Sequence, residues 1–191
     1  MKKKIVERYE RSENNEIIIN ISAHKIEDLY DDFDKKSHFL KKDLNRHLVE
    51  YIIDSVSEID GESFLIEFSL EEKSTDEAIS RVRNSVKNFF LYIKELKLKK
   101  MKEMIRTSII LLFTGLVIAG MSVLMNENEW AKASILGGVI AEGLTVAAWV
   151  SLWEALATFL IKWMPYRKKI RLYQKISESK VIFSFVNESA V

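Results

Sequence analysis

The chain has 191 residues, 30 % of them charged and 48 % hydrophobic, with 29 Lys and Arg against 28 Asp and Glu and a formal net charge of +1. It holds no cysteine, which excludes a disulfide framework, a thiolate nucleophile and any cysteine-based zinc site. The near-balanced charge argues against nucleic acid as the main partner, since proteins of that kind carry a strong basic excess.

The start, MKKKIVERYE, has the positive end of a signal peptide without an apolar stretch behind it. Export of the N-terminal part is therefore not expected. Residues 1–14 read as a frayed start or an edge strand. Asn15–Ser22 reads as a strand, with Ile17, Ile19 and Ile21 on one face and Glu16, Ile18 and Asn20 on the other. The acid-rich connection IEDLYDDFDKKSHF reads as one short helix and a loop. Its Asp28, Asp31, Asp32 and Asp34 lack the glycine and the bidentate glutamate of an EF-hand loop, so a solvated loop is expected and not a calcium site. His24, His38 and His47 show no zinc-binding spacing. No phosphate-cradling glycine loop or nucleophile motif occurs, so no metal, no cofactor and no enzymatic activity are expected.

Asp43–Ile59 reads as an amphipathic helix with Leu44, Leu48, Ile52, Val56 and Ile59 as its apolar stripe and Asp43 as its N-cap. Asp60-Gly61 marks a turn. Glu62–Leu70 reads as a second strand burying Phe64, Ile66, Phe68 and Leu70, and a helical connection of this length permits a parallel crossover. Ser74 or Thr75 caps a long helix from Asp76. Its apolar residues Ile79, Val82, Val86, Phe89, Ile93 and Leu96 follow heptad spacing. That stripe packs either on the sheet of its own domain or between subunits as a stalk.

The helix then turns basic, with Lys97, Lys99, Lys100, Lys102 and Arg106, and runs into a first apolar stretch, Met104–Met125. A second, Ala133–Pro165, follows the short link NENEWAK. Roughly twenty apolar residues suffice to cross a bilayer as a helix, so the two runs predict a transmembrane hairpin. Tyr166, Arg167, Lys168, Lys169 and Arg171 follow it. Lys and Arg thus crowd both outer ends while the link is acidic, which by the positive-inside rule predicts cytoplasmic termini in a bacterial inner membrane. Lys99, Lys100, Lys102, Arg106, Arg167, Lys168, Lys169 and Arg171 are expected to meet anionic lipid headgroups. Lys180–Val186 alternates as a third strand that returns to the first two.

The second apolar run admits two placements. A bilayer over Glu142–Ile161 buries Glu154, and one over Ala133–Trp153 brings Glu142 to the middle. Trp130 and Trp149/Trp153 lie about 30 Å apart along a helix, which matches the hydrocarbon thickness and favours the second placement, with Trp163 in an interfacial segment to Pro165. The expected fold is thus an α+β cytoplasmic domain, a three-stranded sheet with helices over residues 1–103, joined to a two-helix hairpin. The hairpin spans residues 104–165, with membrane helices over about 104–125 and 133–155. Residues 166–191 form a basic juxtamembrane segment and the returning strand.

Glu142-Gly143, Trp149-Val150-Ser151-Leu152-Trp153 and Trp163-Met164-Pro165 with the basic run after it, together with Asp43-Leu44 and Glu50-Tyr51-Ile52 upstream, resemble a group of uncharacterised bacterial two-helix membrane proteins. The resemblance implies the architecture and carries no activity. This chain departs from the group at Glu154, where an arginine is expected, and at Ala155, where a proline is expected.

Small residues Gly143, Ala147, Ser151 and Ala155 recur every four positions, as do Gly115 and Ala119 on the first membrane helix, a spacing that lets helices approach closely in lipid. If that ridge packs within the hairpin, Glu142 faces outward. Ionisable groups in a membrane seek a partner, a cavity or a bundle interior. Three readings of Glu142 stand: a packing carboxyl group hydrogen-bonded to a neighbouring subunit or to Thr145, a point on an ion or proton path, or an interfacial residue. The first favours a homo-oligomer. The functional expectation is a membrane-anchored interaction or signalling module with an unknown cytoplasmic protein as partner; the alternative is a small channel or permeabilising protein conducting past Glu142.

Overall fold

The computed structural model describes residues 6–31, 44–59, 61–129 and 133–185. The chain divides into two compact units, one of Met1–Glu95 with Ile170–Val191 and one of Leu96–Lys169.

The first unit is built on a three-stranded sheet in the order β1 (Ile17–Ala23), β2 (Phe64–Leu70), β3 (Lys180–Phe185). Both pairings are parallel: Ile19 lies opposite Ile66, and Phe68 lies between Ile21 and Phe183. A parallel pair cannot be joined by a hairpin and needs a crossover. Between β1 and β2 that crossover is α1 (Arg46–Ile59); between β2 and β3 it is everything from residue 71 to residue 179. The three-stranded sheet with helices expected from the sequence is present, and because its parallel strands alternate with helices its connectivity is that of an α/β unit.

The described residues ahead of β1 do not form a strand. They turn back on it: Arg11 bridges Ile17 in a single antiparallel step, and Asn15 takes the left-handed φ of 62° that asparagine tolerates well. After β1 a 3₁₀ turn, Ile26–Leu29, buries Ile26 and Leu29, and Tyr30 bridges Leu44. The cap of α1 falls on Asn45, whose Oδ1 accepts from the His47 backbone N–H at 2.9 Å. Asp43, the expected cap, lies outside the described residues, as do Asp32, Asp34, His38 and Asp60.

One apolar cluster joins the sheet to its helices. Ile17 and Ile19 of β1, Ile66 and Phe68 of β2, and Ile52 of α1 are fully buried in it. Burying a side chain of this size contributes about 1.5–3 kcal/mol, so these positions dominate the unit. The opposite sheet face carries a polar chain across all three strands: the Ser69 hydroxyl donates to Asn20 Oδ1 at 3.0 Å and lies 2.9 Å from the Ser184 hydroxyl.

Helix α2 (Asp76–Glu127) runs unbroken for 52 residues. Thr75 opens it, its Oγ1 accepting from the Ala78 backbone N–H at 3.3 Å. Its buried residues in the first unit are Val82, Ser85, Val86 and Phe90, with Phe89 and Ile93 half-buried; Leu96, where the second unit begins, is 42 % exposed. The heptad stripe expected from the sequence thus gives way beyond Val86 to a four-residue step, and it packs into the domain's own core.

The chain returns through α3 (Ile135–Ala157), a π-helical turn (Thr158–Lys162) and α4 (Trp163–Glu178). The segment 155–165 is helical throughout. Its widened turn precedes Pro165, which has no N–H to offer the Ile161 carbonyl and whose ring crowds it. Helix α4 re-enters the first unit beside α2, where Tyr173 packs 6.3 Å from Phe90 and Lys94 bonds Gln174.

Candidate functional site

The second unit contains the apolar parts of α2 and α3, and each of these helices is long and apolar enough to cross a membrane. Only 17 % of the most apolar stretch of each is buried. That low share separates them from the core helices of a soluble domain, which bury most of such a stretch. Ile109, Phe113, Leu116 and Leu124 on α2, and Ile135, Val139, Val146 and Val150 on α3, stand exposed. A contiguous apolar surface of this extent is foreign to a water-facing monomer.

What the two helices bury against each other is small. Ser108, Gly115 and Ser122 on α2 are buried, and so are Gly137, Ala141, Ala148 and Ala155 on α3. The α2 set and the three alanines recur every seven residues, which keeps one seam facing its partner along two helices crossing at a small angle. At Gly115 a Cβ would come within 3.0 Å of Leu152 Cδ2 and 3.1 Å of Ser151 Cβ, so the backbone approaches there as closely as glycine allows. About two turns further on, the Ser122 hydroxyl lies 2.6 Å from that of Thr145 and 3.2 Å from the Ala141 carbonyl. Asn126 Nδ2 donates to the Ser122 carbonyl at 3.1 Å. In lipid, where no hydrophobic effect drives helices together, close approach and hydrogen bonds of this kind are what holds apolar helices to each other.

The expected small ridge is shifted in phase. Gly115, Ser151 and Ala155 lie at the seam, with Ala119 half-buried beside it, but Gly143 and Ala147 are exposed and nothing lies within 4 Å of a Cβ added at Gly143. Thr145 bonds across the hairpin to Ser122 and back to the Ala141 carbonyl at 3.0 Å; no bond from it to Glu142 is formed. Glu142 is exposed, on the side of α3 away from the seam with Trp149 and Trp153, which are 68 % and 69 % exposed. Glu154 is exposed as well and accepts from the Thr158 hydroxyl at 3.3 Å.

The antiparallel register set at Gly115 and Ser122 brings residues 99–106 of α2 level with residues 162–169 of the returning helix. Lys99, Lys100, Lys102 and Arg106 are exposed there, and so are Arg167, Lys168 and Lys169; Arg171, in the first unit, is exposed too. On the returning helix Phe159 stacks on Trp163 with ring centroids 5.6 Å apart, and the Arg167 guanidinium lies 4.7 Å over the Trp163 ring. This column places an amphipathic ring between an apolar and a charged neighbour, the setting tryptophan occupies at membrane surfaces. Trp130 and Lys132 lie outside the described residues.

In the first unit the titratable groups cluster at the ends of the parallel strands. His24 follows β1 and sits beside Glu71 and Glu72, which follow β2: Nδ1 lies 2.5 Å from Glu71 Oε2 and Nε2 3.3 Å from Glu72 Oε1. The hydrogen bond to Glu71, and then its charge, push the His24 pKa upward. Burial raises the Tyr30 pKa, and its hydroxyl donates to Ser85 at 3.2 Å. Among the described residues no group of three or more His, Asp or Glu side chains stands close enough to hold a metal ion. Comparison with protein families, with curated proteins and with solved structures finds no match to this chain.

Proposed function

We propose that the chain is a two-pass protein of the bacterial cytoplasmic membrane, with both termini in the cytoplasm, that acts as a homo-oligomeric, membrane-anchored interaction or signalling module without enzymatic activity. The observation that carries this reading is the contrast within the second unit. Its seam is small and polar-stapled while its outward surface is apolar and bordered by lysine and arginine. Lipid is the solvent for such an outward surface, and anionic headgroups suit the basic border. Oligomerisation is supported by Glu142, since a carboxyl group on the outer face of a two-helix hairpin has no interior of its own and another subunit offers it one. The first unit is then the part that meets a cytoplasmic protein.

The resemblance of Glu142-Gly143, Trp149–Trp153 and Trp163-Met164-Pro165 to bacterial two-helix membrane proteins supports the same architecture. The exposed Glu142 also favours one second reading, a small channel whose path passes that residue. Topology tests the main reading. The chain has no cysteine, so single cysteines at Ser12, Asn128 and Ser189 report individually. An impermeant thiol reagent on intact cells should label Asn128 alone; labelling at Ser12 or Ser189 with none at Asn128 overturns the orientation. Reconstituted liposomes separate the two readings, because an anchor shows no conductance.

A further inference from the structure

A cavity of about 150 Å³ opens in the first unit between the early part of α2, the end of α4 and the start of β3. Arg83, Asn84 and Lys87 line it from α2, and Ser177, Ser179 and Ile176 line it from the other side. No carboxylate is among its lining residues. We propose that this cavity binds a small phosphate-bearing molecule, with the Arg83 guanidinium, the Lys87 ammonium and the Asn84 amide as the donors that hold its phosphate.

Arg83 is held ready for this. Its Nε donates to the Val181 carbonyl at 3.0 Å, and its guanidinium carbon lies 5.8 Å over the Phe183 ring. Those two contacts fix the plane of the fork and use one of its five N–H groups. Other arginines of the unit are tied to carboxylates: Arg11 to Glu62, Arg46 to Glu50 and Arg81 to Glu77. Among the described residues Arg83 and Lys87 have no carboxylate within salt-bridge distance, one turn apart on the same helix. Two cations and an amide converging on one small volume suit a dianion with three acceptor oxygens better than a carboxylate with two.

The end of α4 also meets this cavity, and a helix C-terminus repels anions. Here that effect is blunted, because the Ser177 and Ser179 hydroxyls donate to the Gln174 and Ile176 carbonyls, each at 2.8 Å. Donating in this way leaves the hydroxyl lone pairs free as acceptors. The serine side therefore suits a hydroxyl group on the ligand, and the cavity as a whole suits a phosphomonoester of a small polyol. This site is independent of the membrane reading, since every residue in it belongs to the first unit.

The test uses full-length protein in nonionic detergent. Thermal unfolding is followed with sodium phosphate and with glycerol phosphate, each against sodium chloride at equal ionic strength. Both phosphates should raise the unfolding temperature of the parent saturably. Lys87→Gln should weaken the apparent affinity at least about tenfold, as expected for loss of one charge-assisted contact, and Arg46→Gln should leave it unchanged. Arg83→Gln also removes the bond to Val181, so Lys87→Gln is the deciding variant. Equal responses from Lys87→Gln and the parent, or a parent that responds no more to phosphate than to chloride, overturn the site. Acetate acting as strongly as phosphate overturns the ligand class. Stabilisation by micelles doped with phosphatidic acid, with none from glycerol phosphate, assigns the phosphate to a lipid headgroup and overturns the soluble ligand.

Discussion

The hydroxyls of Ser122 and Thr145 meet at 2.6 Å across two helices that are otherwise apolar. Ser122 is buried at the last step of the α2 seam, where the helices also share the Ala141 carbonyl. Ser122→Ala and Thr145→Val should each loosen the hairpin by about 0.6 kcal/mol and at most about 1.7 kcal/mol, the range of interhelical hydrogen bonds in membranes. The double variant should cost little more than either single one, because both remove the same bond. Unfolding in mixed micelles measures all three; additive losses would mean the two hydroxyls act separately.

Gly115 gives a sharper steric test. Alanine there pushes on the movable end of Leu152 and on Ser151 Cβ, and valine adds two methyl groups to a Cβ that is already that close. Gly115→Ala should be tolerated within about 1–2 kcal/mol and Gly115→Val should separate the helices. A disulfide engineered between α2 and α3 reports the result: its yield should survive the first change and collapse in the second.

Glu142 distinguishes packing from conduction. Glu142→Gln keeps shape and hydrogen bonding and removes ionisation. If the residue serves a subunit contact, the glutamine variant should assemble as the parent does, and Glu142→Leu should weaken assembly by about 1–2 kcal/mol. If it lies on a conduction path, glutamine should preserve assembly and abolish pH-dependent flux. Native mass spectrometry and liposome flux on both variants read the two outcomes. An unchanged oligomer and unchanged flux with leucine would leave Glu142 facing headgroups only.

Strand β3 should be an integral part of the sheet. Phe183 stacks on Phe68 with centroids 5.4 Å apart, and Val181 and Phe185 pack on the same cluster. Removing residues 180–191 should uncover the β2 edge and cost several kcal/mol, and Phe183→Ala alone about 1–2 kcal/mol for a half-buried ring. Limited proteolysis and thermal unfolding check both; a truncated chain as resistant as the parent refutes it.

His24 should impose a modest pH dependence. Its pKa is raised in the folded chain by Glu71, with Glu72 and Asp28 adding in the same direction. The stabilisation is therefore complete below the unfolded value of about 6.5 and is lost as pH rises through the higher folded value. The effect is small, since all three side chains of the pair network are well exposed to water. Melting temperature against pH should fall in that window for the parent, and Glu71→Gln should flatten the curve.

The parts of this structure legible in the sequence are those set by period alone. Ile17, Ile19 and Ile21, then Phe64, Ile66, Phe68 and Leu70, alternate strictly, and a pleated strand must send them to one face. The seam of the hairpin was harder, because α3 carries small residues on two adjacent faces. Spacing of four selects Gly143, Ala147 and Ser151 as readily as it selects any other set. The deciding information sits on the other helix: Ser108, Gly115 and Ser122 recur every seven, and the buried Ala141, Ala148 and Ala155 keep the same seven-residue step. Ser108 and Ser122 read as polar interruptions until their hydroxyls are seen turned inward, Ser108 to the Met104 carbonyl at 3.0 Å and Ser122 across the seam. The cation cavity was invisible for a different reason. Arg83 and Lys87 look like solvated helix positions, and only the return of α4 and β3, some 90 residues later in the chain, gives them a wall to face.

The parallel pairing of β3 with β2 also orders the events of synthesis. Lys180 emerges from the ribosome about 110 residues after Leu70, a delay of roughly 5–20 s at ordinary elongation rates. Throughout that interval β2 has only β1 beside it, and its second edge offers unpaired backbone groups to any strand nearby. Both apolar helices are made within the same window. On the proposed membrane reading, insertion of both helices would precede completion of the sheet, and a chain whose helices failed to insert would reach β3 with an open strand edge and two unshielded apolar segments, the combination most prone to aggregate.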